Sequence, residues 1–153
     1  MATMVNEPYV NHIPTIAGGV GHNDLRQFYK HHFIATTPSD TTIIPISQKV
    51  GEGSLVDEVL FCFTHDIEID WMLPGVKPTC RRVEIPLVAI VKFRGDKLHN
   101  EHIYWDQASV LVQIGVLDST GLPIAGVETA KKLLDEQLPS NQLMSKWNQS
   151  RDT

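Results

Sequence analysis

The stretch DKLHNEHIYWDQASVLVQIG, residues 96 to 115, decides the fold, because its hydrophobic period changes in the middle. Up to Trp105 the residues are aromatic, β-branched or polar, and in a strand successive side chains point to opposite faces. His102, Tyr104 and Asp106 share one face; His99, Glu101, Ile103 and Trp105 take the other. From Gln107 onward Ala108, Val110, Leu111 and Ile114 recur at helical spacing, and Gly115 stands where a left-handed residue ends a helix. Asp106 therefore sits at a strand-to-helix junction, a position with two readings. Aspartate is a strong helix N-cap, since its carboxylate accepts hydrogen bonds from the free N–H groups of the first turn. A carboxylate beside His102, Tyr104 and the Trp105 indole is equally placed to serve as a half-buried general acid or base.

Working outward, Val83, Ile85, Leu87, Ala89, Val91 and Phe93 alternate without a break and define one apolar strand face. Arg94 to Lys97 turns this strand into the next. Thr41 to Val50 and Leu55 to Asp70 read as an antiparallel hairpin across the turn Gly51-Glu-Gly-Ser54, so the sheet is an antiparallel meander of about four strands. Pro86 removes one ladder donor and predicts a bulge or bend, hence a strongly curved sheet. Leu25, Phe28, Tyr29, His32 and Phe33 predict an amphipathic helix that covers the sheet, capped by Asn23. Before it, glycines and prolines leave room only for a short strand or turn around Tyr9 to Ile13, and the Gly18 to Gly21 loop has the weak look of an anion cradle. After Gly115 the spacing predicts a helix from Val127 to Leu138, and Ser140 caps another carrying Leu143, Met144 and Trp147.

At 153 residues the chain is long enough for one domain with one core. With 42% hydrophobic and 20% charged residues it reads as an ordinary globular chain, with neither the composition of a disordered segment nor an apolar run of the ~20 residues a bilayer requires. The expectation is no membrane partner and, in the absence of a secretory signal pattern, a cytosolic location. A net charge of −5 without a basic cluster beyond Arg81 and Arg82 speaks against a nucleic-acid partner. Cys62 and Cys80 form no CxxC pair and read as reduced thiols. The histidines His31-His32 and His99 and His102 do not converge in the number a zinc site needs, so no metal is expected. No Ser or Cys stands in a nucleophile elbow.

The segments Tyr9-Val-Asn-His-Ile-Pro14, Phe63-Thr-His65, Pro78-Thr-Cys-Arg-Arg-Val-Glu84, Phe93 to Leu98, Glu101 to Asp106 and Leu111 to Gly115, in this order and spacing, resemble the SnoaL-like polyketide cyclase family of the nuclear-transport-factor-2-like superfamily. The resemblance covers roughly residues 8 to 117, with 118 to 153 as a C-terminal helical extension of the same single domain. It implies an α+β cone, a curved antiparallel sheet wrapping helices around a pocket open at one end. In the enzymes of the family an aspartate at the Asp106 position moves a proton next to a carbonyl, so that an enolate closes a ring. Carried onto this chain, the resemblance implies Asp106 as acid and base, with His65 and His12 matching family histidines near the cavity. It departs in two places: Pro78-Thr-Cys80 where the family usually has Pro-Thr-Gly, and only eight residues before Tyr9 where members carry a long helix. Apolar sheet surface is then uncovered, and either the C-terminal helices or a second copy of the chain is expected to cover it, which predicts a homodimer through the outer sheet face.

The remaining candidates have roles and plain alternatives. His65 on a central strand can orient Asp106 or a substrate carbonyl, or be a hydrogen-bonded core histidine. His12 can line the cavity or hold a turn. Trp71 and Trp105 can wall a planar ligand, and Tyr104 and His102, on the Asp106 face, can bond a carbonyl oxygen. The expected function is a cofactor-independent acid/base enzyme of cyclase or isomerase type acting on a small apolar carbonyl compound, or else a non-catalytic ligand-binding or dimerisation module of the same fold.

Overall fold

The computed structural model of the chain describes residues 2–147 and 149–152. It is an α+β cone built on one six-stranded sheet. The strands are β1 (Met4–His12), β2 (Ala17–Val20), β3 (Thr42–Gly51), β4 (Ser54–Thr64), β5 (Arg82–Arg94) and β6 (Lys97–Trp105), in the spatial order β2-β1-β6-β5-β4-β3. The expected hairpin and meander are present as β3 to β6, all antiparallel. The short strand or turn expected around Tyr9 to Ile13 is a nine-residue β1, and β2, which was not expected, folds back along it. β1 pairs parallel with β6, so the sheet is mixed.

The glycines before the first helix serve this hairpin and not an anion. A Cβ on Gly18, whose φ is +144°, would lie 1.9 Å from the Val10 carbonyl oxygen. α1 (Gly21–Gln27) continues as a π-helical turn through Phe28–Phe33 and a 3-10 turn at Ile34–Thr36. Its N-cap is Val20, with no side-chain cap, and Asn23 lies inside the helix. α2 (Gln107–Gln113) starts and stops where expected, with Gly115 at φ +77°.

Pro86 makes no bulge. The β4–β5 register runs unbroken through Leu60 opposite Pro86, and the β5–β6 ladder begins only at Leu87 opposite Trp105. Pro86 thus lacks its N–H on the side where β6 has already ended. Beyond that point the Gln113 side chain of α2 stands in for the missing strand. It accepts from the Glu84 N–H at 2.9 Å and donates to the Glu84 carbonyl at 3.0 Å.

β4 ends at Thr64 and not at Asp70. The His65 carbonyl accepts from the N–H groups of Thr79 and Cys80, and the chain leaves the sheet as a strap that buries Ile69, Trp71, Met72 and Leu73. Three consecutive buried residues, 71 to 73, do not fit a strand's period of two. At the C-terminus α3 spans only Glu128–Leu134, and the expected helix from Ser140 is absent. Residues 142 to 147 form turns, followed by a 3-10 turn at Gln149–Asp152.

The register sorts the two sheet faces. Val10 and His12, Phe61 and Phe63, Val83, Ile85 and Leu87, and Ile103 and Trp105 point inward and pack against α1, α2 and the strap. On the outer face Leu60 and Cys62 pack with Ile46 of β3 and with Ala130 and Leu133 of α3.

Candidate functional site

The inner face divides into a closed aromatic half and a half-open acidic half. In the closed half His12, 4% exposed, is ringed by Phe28, Phe33, Trp71 and Trp105 at centroid distances of 5.4, 5.7, 5.0 and 6.1 Å. The π-helical turn places Phe28 and Phe33 here, and Tyr29 packs edge-on against both from the half-open side. His12 Nδ1 lies 3.0 Å from the Ala17 carbonyl oxygen, which can only accept, so Nδ1 carries the proton and Nε2 is left as an acceptor. Burial lowers the His12 pKa, which keeps the ring neutral. Gln107 ties this half to the strap: it accepts from Trp105 Nε1 at 2.7 Å and donates to the Met72 carbonyl at 2.7 Å.

In the half-open part the inner-face row of β6 continues past Ile103 to Glu101. Glu101 is opposite Val91 of β5 and Val10 of β1. Burial raises its carboxyl pKa, and the negative charge of Asp57 raises it further. Asp57 points inward from β4, opposite Ala89, and accepts from Gln48 Nε2 at 2.7 Å. The Tyr29 hydroxyl is pushed up to about 12 by burial and by the charge of Glu101, so it remains a hydrogen-bond donor at neutral pH. Glu101, Tyr29, Asp57 and Ala89 all keep partial exposure, so this face is a half-open trough and not the enclosed pocket expected.

The structure separates the residues singled out in the sequence. His12, Trp71 and Trp105 come together in the aromatic half. Asp106 lies outside it: its side chain is exposed and accepts from the Ser109 N–H at 3.1 Å, the N-cap alternative. Tyr104, 41% exposed, and His102 are on the outer face, where His102 stacks edge-on against Tyr9. His65 is fully buried, with Nδ1 3.1 Å from Thr79 Oγ1 and Nε2 without a hydrogen-bond partner, and burial lowers its pKa. With its backbone anchoring Thr79, Cys80 and Arg81, it holds the Pro78-Thr-Cys80 loop in place.

Glu101, Tyr29 and Asp57 were not singled out. The signal for Glu101 was present: it shares a strand face with Ile103 and Trp105, the apolar side of the alternation, where a carboxylate is out of place.

Among the described residues no group of three or more His, Cys, Asp or Glu side chains converges on a metal position, and no helix is long and apolar enough to cross a membrane. A groove of about 1490 Å³ lies on the other side of the sheet, between α2, α3 and residues 138 to 143, with Arg82, Glu84 and Pro86 of β5 as its floor.

No protein-family model matches the chain, and no curated protein matches it significantly. Its fold is that of the SnoaL-like and NTF2-like proteins. A candidate SnoaL-like polyketide cyclase from Jannaschia sp. CCS1 superposes with a TM-score of 0.61 at 15% identity, over 76% of each chain. TsrD from Streptomyces laurentii gives 0.59 at 17% identity, over 76% of this chain and 80% of that one. IdmH from Streptomyces antibioticus, a candidate polyketide cyclase, gives 0.51 at 21% identity, over 75% of this chain and 84% of that one. At these identities the likeness is one of fold.

Proposed function

We propose that the chain is a cofactor-independent acid/base enzyme acting on a small apolar carbonyl compound, with Glu101 as the group that carries the proton. The observation behind this reading is an inward-facing, half-buried carboxylate among apolar side chains on the concave sheet face. A carboxylate whose proton affinity is raised by its surroundings is a better base than an exposed one, and its acid form persists closer to neutral pH. In the proposed step ionised Glu101 removes a proton from the carbon next to the carbonyl, forming an enolate. Tyr29 donates a hydrogen bond to the developing oxygen charge, and the partly exposed apolar surface around Ala89 meets the apolar body of the substrate. Returning the proton to another carbon isomerises the compound; attack of the enolate on a second carbonyl closes a ring. Fold neighbours described as candidate polyketide cyclases are in keeping with this chemistry.

Asp106 keeps a capping role in this proposal and His65 a structural one. Those two roles favour the second reading, a non-catalytic ligand-binding module. The readings separate in a solvent-deuterium exchange assay on a panel of small enolisable ketones, followed by proton NMR. Wild type is expected to exchange at least one of them, and Glu101→Gln to lose roughly 10²- to 10⁴-fold with its melting temperature kept. Full activity in Glu101→Gln removes the assignment; line broadening of a ketone without exchange supports the binding module.

The proposal includes a homodimer. α3 leaves Val56, Val88, Ile90 and Tyr104 of the outer face partly exposed, together with Ile44 at 42%. A second copy laid across this face covers them, and a sedimentation coefficient that stays monomeric across a hundredfold concentration range refutes it.

A further inference from the structure

We infer that Asp57 is a positioning residue for the acid/base step: held by Gln48, it shares the inner sheet face with Glu101, one row along and on the other side of β5, and its charge tunes proton release there. This rests on the reading of Glu101 as the proton carrier.

The placement follows from the register. Asp57 is opposite Ala89, which is opposite Ile103; Glu101 is opposite Val91, one inward-facing row further along. The two carboxylates therefore flank β5 on the same face. The diagonal between them crosses β5 midway between Ala89, in the Asp57 row, and Val91, in the Glu101 row, with alanine the smallest residue on the inner face of that strand. With two strand spacings of ~4.8 Å across and ~6.8 Å for two residues along, their backbone separation is about 12 Å. Gln48, opposite Asp57 in the β3–β4 pairing, donates to it at 2.7 Å and fixes the carboxylate on this face.

Along β6 the next titratable group is His99, whose ring lies 3.1 Å from Arg94 beyond the register shift at Lys92 and Phe93, and the charge that acts on Glu101 is that of Asp57. Tyr29 approaches from the helical side as a neutral hydroxyl. β5 offers Val91 and Ala89, and β1 offers Val10 and, two residues on, His12 with its neutral ring. The ion pairs of the described residues are His32–Asp70 and Arg82–Asp40, and neither reaches this face. The direction seen for Glu101, upward with Asp57 as the second cause after burial, agrees with the geometry.

The test is a carbon-13 NMR titration of the glutamate side-chain carboxyls, with the Glu101 resonance identified by its loss in Glu101→Gln. Asp57→Asn keeps the shape and the Gln48 bond but removes the charge. The Glu101 midpoint is expected to fall by about 0.25 to 1.0 pH units, the Coulomb energy at ~12 Å for effective dielectrics between 80 and 20. The acid limb of the exchange rate should move down by the same amount. An unchanged or raised midpoint overturns the inference, whatever the activity. A midpoint that falls while the rate profile stays fixed leaves the charge coupling standing but overturns Glu101 as proton carrier, and with it the functional role given to Asp57. Should Asp57→Asn fail to fold, Asp57→Ser is read the same way.

Discussion

Replacing Asp106 separates a cap from a catalyst without knowledge of the substrate. In the structure its carboxylate accepts one hydrogen bond, from the Ser109 N–H at 3.1 Å, at the start of a helix only seven residues long. That helix is well anchored further on: Ser109, Val110 and Ile114 are buried, and Ser109 Oγ donates to the Gly126 carbonyl. Asp106→Ala removes the acceptor, worth about 1 kcal/mol, and the favourable charge at the helix N-terminus, worth about 0.3 to 1 kcal/mol. The sum is about 1 to 2 kcal/mol, which in a chain of 153 residues lowers Tm by roughly 2 to 8 °C. Asp106→Asn keeps a good capping oxygen and loses only the charge, so its Tm should stay within about 4 °C of wild type. Both variants should keep ketone exchange. Thermal melts by circular dichroism give the first result and the exchange assay the second. If Asp106→Asn melts like wild type but exchanges nothing, Asp106 carries the proton and the assignment to Glu101 fails. If Asn and Ala are equally destabilising, the side chain is not acting as a cap.

Three further outcomes follow from the same geometry. Gln113→Ala leaves the N–H and carbonyl of Glu84 without the side chain that bonds both, and should cost about 2 kcal/mol in urea unfolding; an effect below ~0.5 kcal/mol means water replaces it freely. Gly18→Ala puts a Cβ 1.9 Å from the Val10 oxygen at a φ of +144°, so the β1–β2 hairpin should open and its amides lose hydrogen-exchange protection; retained protection contradicts the close approach. His12 and His65 both have pKa values lowered by burial from 6.5, so the unfolded chain binds more protons, and their contribution to stability is complete above pH 6.5 and lost as pH falls through the lower folded values. Glu101 has the opposite slope, its raised pKa weakening the fold as pH rises above 4.5, so the urea titration is made in Glu101→Gln; a stability that is flat from pH 7 to 5 refutes the histidine assignment.

How much of this was legible in the letters depended on how local the cause was. The unbroken alternation from Val83 to Phe93, and the change of period at Asp106, are set by neighbours two to four residues away, and β5, β6 and α2 appear where they were expected. β1 was cut short because its strand character comes from pairing with β6, some ninety residues distant, where Val10 meets Glu101 and His12 meets Ile103. The bulge or bend predicted at Pro86 depends on whether a neighbouring strand needs its missing donor, and where β6 ends is a tertiary fact. The strap from Ile69 to Leu73 hides in the same way, its burial set by the loop that His65 anchors.

The site turns on the choice between two faces of one strand. Asp106 drew the functional reading through its sequence neighbours Tyr104 and His102, yet residues two and four apart share a face with it while the core lies on the other. Ile103 and Trp105, at i+2 and i+4 from Glu101, are 6% and 8% exposed. Matching this alternation to the inward set of β5, from Val83 to Val91, fixes which side of β6 is apolar before any coordinates are consulted. On that side Glu101 is the residue that breaks the pattern. A carboxylate on a polar face has many uses, capping among them; one on an apolar face loses hydration unless something there repays it, and a substrate proton is such a thing. The same reasoning applies to Asp57, the second carboxylate on the concave face, whereas Asp106, on the polar face, has its cap to hold it.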